Sequence, residues 1–225
     1  MHYLRGNKFV AIAAISGALI LFAGTYLHPL DADPNVALAA FTEYAADHHW
    51  VASHLMQLFG FALMVAALVL FSRRIAGGPA DAAAILGAVG AVASLVLAGA
   101  LQAVDGVALK AMVNAWAAAP ERGKEVLFHA AFAVRQIEIG LASITGLLFG
   151  LTVSIYGIAL LTDPRFPKWL GFLAIASGVP TAFGGIVIAY TGFSELAMAI
   201  NMPSNSLLLC WMVALGVYVW RKPVL

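Results

Sequence analysis

Long unbroken apolar stretches, separated by short polar breaks, dominate the hydropathy pattern of the chain. Six of them are long enough to cross a bilayer, which takes about 20 apolar residues per helix. They run over about residues 9–28, 50–72, 82–104, 140–162, 169–190 and 204–220. The first follows a basic start, Arg5 and Lys8, and lacks a small-residue cleavage site, so it is expected to be a retained helix. The acidic segment from Leu30 to Asp47, broken by Pro34, predicts a loop with a short helix from Val36 to Ala46. Gly77-Gly78-Pro79 predicts a tight turn, and Asp81 an N-cap. Between the third and fourth spans, residues 105–139 keep helical composition but become amphipathic, with a turn at Pro120. The predicted fold is therefore all-α. It is a polytopic six-helix transmembrane bundle whose third and fourth helices extend into an extracytoplasmic cap, all in one integral domain. Bends are expected at Gly106 and Gly140, and a simple kink at Pro180. Gly87, Ala91, Ser94 and Ala98 share one helical face that admits a close neighbour.

Composition supports this reading. Hydrophobic residues make up 63% of the chain and charged ones 10%, against about half and a quarter in soluble domains. No basic run or phosphate-cradling glycine loop points to nucleic acid or nucleotides. The single cysteine, Cys210, excludes an internal disulfide framework and a thiolate metal cluster. Charge is sorted by side. Arg5, Lys8, Arg73, Arg74, Arg165, Lys168, Arg221 and Lys222 fall at one end of the six spans, which the positive-inside rule makes cytoplasmic, together with both termini. Most carboxylates, and every histidine except His2, fall at the other end.

That end carries the candidate chemistry. His28, His49, His54 and His129 come from separate segments at one depth, and imidazoles with nearby carboxylates are ligand types for zinc or copper, or axial ligands for haem. His54 is the most telling, because it lies inside an apolar span, where an ionisable side chain is a functional candidate. The opposing reading is that these are ordinary interfacial histidines, and no HxxxH or HExxH spacing occurs. Asp105, Arg135, Gln136, Glu138 and Glu195 form a second set, with the residue types for a polar ligand or a proton relay. Arg135 and Glu138, three apart on one helix, can equally form a compensated structural pair. Trp50, Trp169, Trp211, Trp220 and Tyr190 read as interfacial belt residues. Ser53 beside His54 lacks the geometry of a nucleophile and its base, since helix neighbours point about 100° apart.

His-Pro before the acidic loop, His-Trp with His54 four residues beyond the tryptophan, Val-Asp-Gly-Val-Ala-Leu-Lys from Val104 to Lys110, and Tyr-Thr-Gly-Phe-Ser-Glu-Leu from Tyr190 to Leu196 complete the pattern. Together they resemble an uncharacterised family of bacterial six-helix membrane proteins known only as a domain of unknown function. The resemblance covers most of the chain. It implies a bacterial cytoplasmic membrane protein and carries no activity.

The leading expectation is a small ligand or cofactor, with a metal ion or haem first, held in an outward-facing pocket of histidines and carboxylates. One alternative is a membrane-embedded enzyme acting on a lipid-soluble substrate. The other is a non-catalytic accessory subunit of a membrane complex. Expected partners are the lipid bilayer, a small lipophilic ligand, and either a second copy or a membrane partner subunit.

Overall fold

A computed structural model describes the backbone of residues 2–29 and 31–222, and the side chains from residue 8 onward within that range. The flanking charge assigned to Arg5 and the position of His2 lie outside the described side chains. Among the described residues there are eight α-helices and one π-helical segment, with no strand. They are α1 (His2–Tyr26), α2 (Ala37–Ala46), α3 (Trp50–Ile75), α4 (Asp81–Gln102), the π-helical Ala103–Leu109, α5 (Lys110–Ala117), α6 (Glu121–Thr162), α7 (Lys168–Thr191) and α8 (Glu195–Arg221). Six helical stretches, Lys8–Tyr26, Trp50–Ile75, Asp81–Ala117, Glu121–Thr162, Lys168–Thr191 and Glu195–Arg221, are long and apolar enough to cross a membrane.

One local expectation differs from the structure. The last helix starts at Glu195 rather than Ser204, because Ser194 caps it by accepting from the Ala197 amide at 3.3 Å, and Pro203 is carried inside the helix. α6 runs through Gly140 as one helix of 42 residues, and Pro180 lies within a continuous α7. Gly106 marks an irregularity, since it lies in the π-helical segment between α4 and α5.

Helix association rests on close approach. Small residues therefore mark the crossings. A Cβ added to Gly60 of α3 would meet the Leu21 amide nitrogen of α1 at 2.5 Å, and one on Gly150 of α6 would meet the Ala182 nitrogen of α7 at 2.3 Å. The small face of α4 is fully used: Gly87, Ala91, Ser94 and Ala98 are all buried. Gly87 gives room to the Tyr156 ring of α6, whose hydroxyl donates to the Leu68 carbonyl at 2.9 Å. Large apolar side chains instead point outward, among them Phe9, Ile12, Leu19 and Phe22 on α1 and Ile85, Val89, Val92 and Val96 on α4, each at least half exposed.

A second core lies at one end of the bundle. Phe41 and Tyr44 of α2, Trp50 of α3, Leu109, Val113 and Trp116 of the α4–α5 extension, and Ala131 of α6 are buried together. The Lys110 ammonium fixes the corner between α2 and α3. It donates to the carbonyls of Tyr44 at 2.5 Å, Ala45 at 3.1 Å and Asp47 at 2.7 Å, acceptors that a helix end leaves without partners. Asp47 in turn accepts from the His49 amide at 2.7 Å. These two residues set the angle at which α3 enters the bundle, and so aim Trp50 and His54 inward.

Candidate metal centre

The site forms where the aromatic core meets the bundle. α1 ends at Tyr26, and the following turn brings His28 beneath α2. His54 sits one turn into α3, and Asp105 sits in the π-helical segment. One ligand atom from each of His28, His54 and Asp105 lies within 4.8 Å of the other two. The His54 Nε2 is 3.0 Å from Asp105 Oδ2. His54 is buried and Asp105 nearly so, with side chains 2% and 13% exposed.

Each imidazole is already oriented through its other nitrogen. His28 Nδ1 lies 2.8 Å from the Pro29 carbonyl, and His54 Nδ1 lies 2.6 Å from the Trp50 carbonyl. A carbonyl only accepts, so both Nδ1 atoms donate. His54 Nε2 faces a second acceptor, Asp105 Oδ2, at 3.0 Å, so without an ion one proton lies between them, and a cation bound there displaces it. An Nδ1–H held by a main-chain carbonyl is the usual support of a metal-bound histidine. Burial, and then the neighbouring His54, hold the His28 ring below the ordinary imidazole value, which favours the neutral ligand form. The second carboxylate oxygen, Asp105 Oδ1, is buried and has no hydrogen-bond partner among the described residues. An unpaired buried oxygen of this kind is costly unless something else satisfies it.

The close fit of α3 to the π-helical segment depends on Gly106. A Cβ there would stand 2.6 Å from His54 Cβ. π-Helical turns recur at functional sites because they re-aim side chains out of register with the flanking helix. Here the turn presents Asp105 to His54 and its own carbonyl to Trp50, whose indole Nε1 donates to it at 3.0 Å.

A polar clamp closes the far side. Arg135 of α6 pairs with Glu138, and both side chains are almost fully buried. The guanidinium lies 5.5 Å from the Tyr44 ring centre and 5.0 Å from that of Phe193, and it donates to the Pro34 carbonyl at 3.3 Å. Asn35 donates to the Phe193 carbonyl at 2.8 Å, so the segment that follows His28 is tied to both α6 and the α7–α8 turn. Burial pushes the Tyr44 phenol up to about 12, and it stays protonated.

The structure regroups the residues singled out in the sequence. His28, His54 and Asp105 converge, and Arg135 with Glu138 borders them as an ion pair. His49, His129, Gln136 and Glu195 are exposed and do not join the cluster. For His49 the reason is helical phase, since it lies about 140° around the helix from His54; for His129 and Gln136 it is the same, as each lies about 160° or more around α6 from the buried Glu138. Glu195 occupies the first turn of α8, pointing to solvent. The sequence reading also missed Trp50, taken as a belt residue but 0% exposed at the centre of the cluster. Its signal was present, because Trp50 and His54 are four apart and share a helical face. Comparison with protein-family models, with curated proteins and with solved structures finds no match for the chain.

Proposed function

We propose that the protein is a multi-pass membrane protein that binds a divalent transition-metal ion, zinc or copper, through His28, His54 and Asp105. The observation that carries this reading is the joint state of the three side chains. Both imidazoles are pre-aimed through Nδ1 by main-chain carbonyls, His54 Nε2 and Asp105 Oδ2 face each other across a proton that a cation can displace, and Asp105 Oδ1 is buried without a partner among the described residues. Ligand atoms about 2.0–2.2 Å from zinc lie about 3 to 3.5 Å from one another, close to the 3.0 Å between His54 Nε2 and Asp105 Oδ2. One ring nitrogen of His28 lies within 4.8 Å of both other ligand atoms. An ion suits the site better than haem, since the His28 and His54 rings already touch, with centres 5.0 Å apart, and a porphyrin plane has no slot between them.

The apolar side chains facing outward on α1 and α4 support immersion in a bilayer. The positive-inside rule puts the Arg73–Arg74, Arg165–Lys168 and Arg221–Lys222 ends in the cytoplasm, so the metal centre opens to the opposite side. The bacterial cytoplasmic membrane is the bilayer that the sequence resemblance implies. Three protein ligands leave a coordination position open, which is the pattern of catalytic rather than structural zinc sites. This favours, as a second reading, an enzyme acting on a lipid-soluble substrate over an accessory subunit without chemistry.

The test is elemental analysis and isothermal titration of the detergent-purified protein with zinc and copper. One equivalent should bind, copper should show two nitrogen ligands by electron paramagnetic resonance, and His54→Leu should abolish this while leaving the helical circular dichroism intact. A folded wild-type protein that neither carries nor takes up either ion overturns the proposal.

A further inference from the structure

We infer that Trp50 is the positioning residue of the metal centre, setting its affinity without touching the ion. The inference rests on the metal-binding reading above. It starts from an unusual convergence: Trp50 contacts all three ligand residues, each through a different part of itself. Its carbonyl accepts from His54 Nδ1 at 2.6 Å, which fixes the ring orientation and turns Nε2 toward Asp105 as the ligand atom. Its indole Nε1 donates to the Asp105 carbonyl at 3.0 Å, which pins the π-helical turn that carries the carboxylate. Its ring face packs against both imidazoles, with centres 4.6 Å from His54 and 4.8 Å from His28.

Neighbouring groups hold Trp50 as firmly as it holds the ligands. Tyr44 packs against it at 4.3 Å between ring centres, and Ser53 Oγ donates to its carbonyl at 2.8 Å. Lys110 and Asp47, by fixing the α2–α3 corner, determine where the tryptophan enters. A packed aromatic with one hydrogen bond to the main chain would be ordinary core. What sets Trp50 apart is that its single side-chain hydrogen bond goes to the residue whose carboxylate has an unpaired oxygen, and its carbonyl goes to the facing ligand. Loss of the N–H frees the Asp105 segment to drift from His54, while the aromatic packing remains. Outer groups that orient metal ligands in this way are worth about 10- to 100-fold in metal affinity.

The experiment compares zinc and copper affinities of the full-length wild-type and Trp50→Phe proteins in detergent, alongside thermal unfolding of both without metal. Phe keeps an aromatic ring in the core but removes the indole N–H together with the five-membered part of the ring, so the metal-free unfolding midpoint falls as for any large-to-small core change. The expected result is a further loss of about 10- to 100-fold in metal affinity in protein that is still folded at the assay temperature, and copper still bound by two nitrogens at saturation. Equal affinity in the two proteins overturns the inference while leaving metal binding standing. Absence of binding in the wild type removes the metal reading itself, and this inference with it. If Trp50→Phe does not fold, wild-type protein labelled with 15N-tryptophan decides. The Trp50 indole signal should shift with one equivalent of zinc while those of Trp169 and Trp220 stay still, and an unmoved Trp50 signal counts against the positioning role.

Discussion

Each end of α3 lies near an aspartate, Asp163 buried and Asp105 nearly so, and the two are treated in opposite ways. Near the end of α3 at Ile75, Asp163 is 0% exposed and saturated. It accepts from the Arg165 amide at 2.9 Å and from the guanidinium at 3.0 Å and 2.5 Å, and Arg165 then reaches the Ile75 carbonyl at 2.8 Å. Near the start at Trp50, about 39 Å away along the helix, Asp105 faces His54 through one oxygen and nothing through the other. A site built for stability uses all its hydrogen-bonding capacity, as the first does. The second keeps one carboxylate oxygen in reserve, and its other oxygen faces the His54 imidazole across a proton that a cation can displace. That difference, more than burial or charge, is what the proposed metal site rests on.

The sharpest way to break the comparison is to make the same substitution at both ends. In Asp105→Asn, the amide nitrogen can donate to the lone pair of His54 Nε2, so the metal-free protein should be as stable as the wild type or more so. Its metal affinity should fall by more than about 100-fold, beyond the loss expected from an outer group. Asp163→Asn should do the reverse. It gives up charge-assisted hydrogen bonds worth about 1.5–3 kcal/mol each in total stability terms before allowance for the half-open guanidinium, and leaves metal binding untouched. Acidity should separate the two as well. The Arg165 hydrogen bonds hold the Asp163 carboxyl below its usual range, so its contribution is fully present above the unfolded value of about 3.9 and disappears as pH falls through the lower folded value. Unfolding midpoints in detergent between neutral pH and pH 3 should show that acid-sensitive component in the wild type and in Asp105→Asn, and lose it in Asp163→Asn. Equal stability loss from both substitutions would erase the distinction between the two ends.

A smaller effect is expected from the backbone that shapes the metal end. Gly106 and Gly140 look alike in sequence, each at the junction of a span and the amphipathic extension, yet their surroundings differ. A Cβ at Gly106 meets His54 Cβ at 2.6 Å, whereas one at Gly140 meets nothing within 4 Å. Gly106→Ala should therefore destabilise by about 1–3 kcal/mol through overpacking and weaken metal binding by pushing the π-helical turn off α3. Gly140→Ala should be neutral or stabilising by up to about 1 kcal/mol, the ordinary gain of alanine in a helix. Thermal unfolding and zinc titration of the pair read this out directly.

These residues also show what was legible in the sequence. Six apolar helices, the short helix before α3 and the small face of α4 follow from period and composition, since those set local structure and close approach. The amphipathic extension after Asp105 was legible for the same reason. Histidine and carboxylate types at one depth pointed to the end where His28, His54 and Asp105 meet. Selecting among them needed helical phase and three-dimensional turns. Depth alone admits His49 and His129, while burial and rotation keep only His28, His54 and Asp105. Trp50 was lost because tryptophan near a membrane boundary is usually interfacial, and only the folded α2, stacked through Tyr44, removes it from the interface. The π-helical turn leaves no composition signal at all beyond Gly106, whose need for space appears only once His54 is placed against it.

The smallest predicted effect bears on that selection. His49, His129, Gln136 and Glu195 share residue types with the metal centre but are exposed, so alanine at each should change stability by no more than about 0.5 kcal/mol, as surface substitutions do. Zinc affinity should remain within about twofold of the wild type, well short of the 10-fold loss that marks an orienting group. His129 is the most demanding of the four, because its ring packs edge-on against Phe128 at 5.9 Å, and Phe128 in turn packs against Phe41 of the aromatic core at 5.5 Å. A mechanical link to the cluster therefore exists. If His129→Ala weakened metal binding tenfold with unfolding unchanged, the ligand set would reach across the cap, and the boundary drawn at Asp105 would have to move outward along α6.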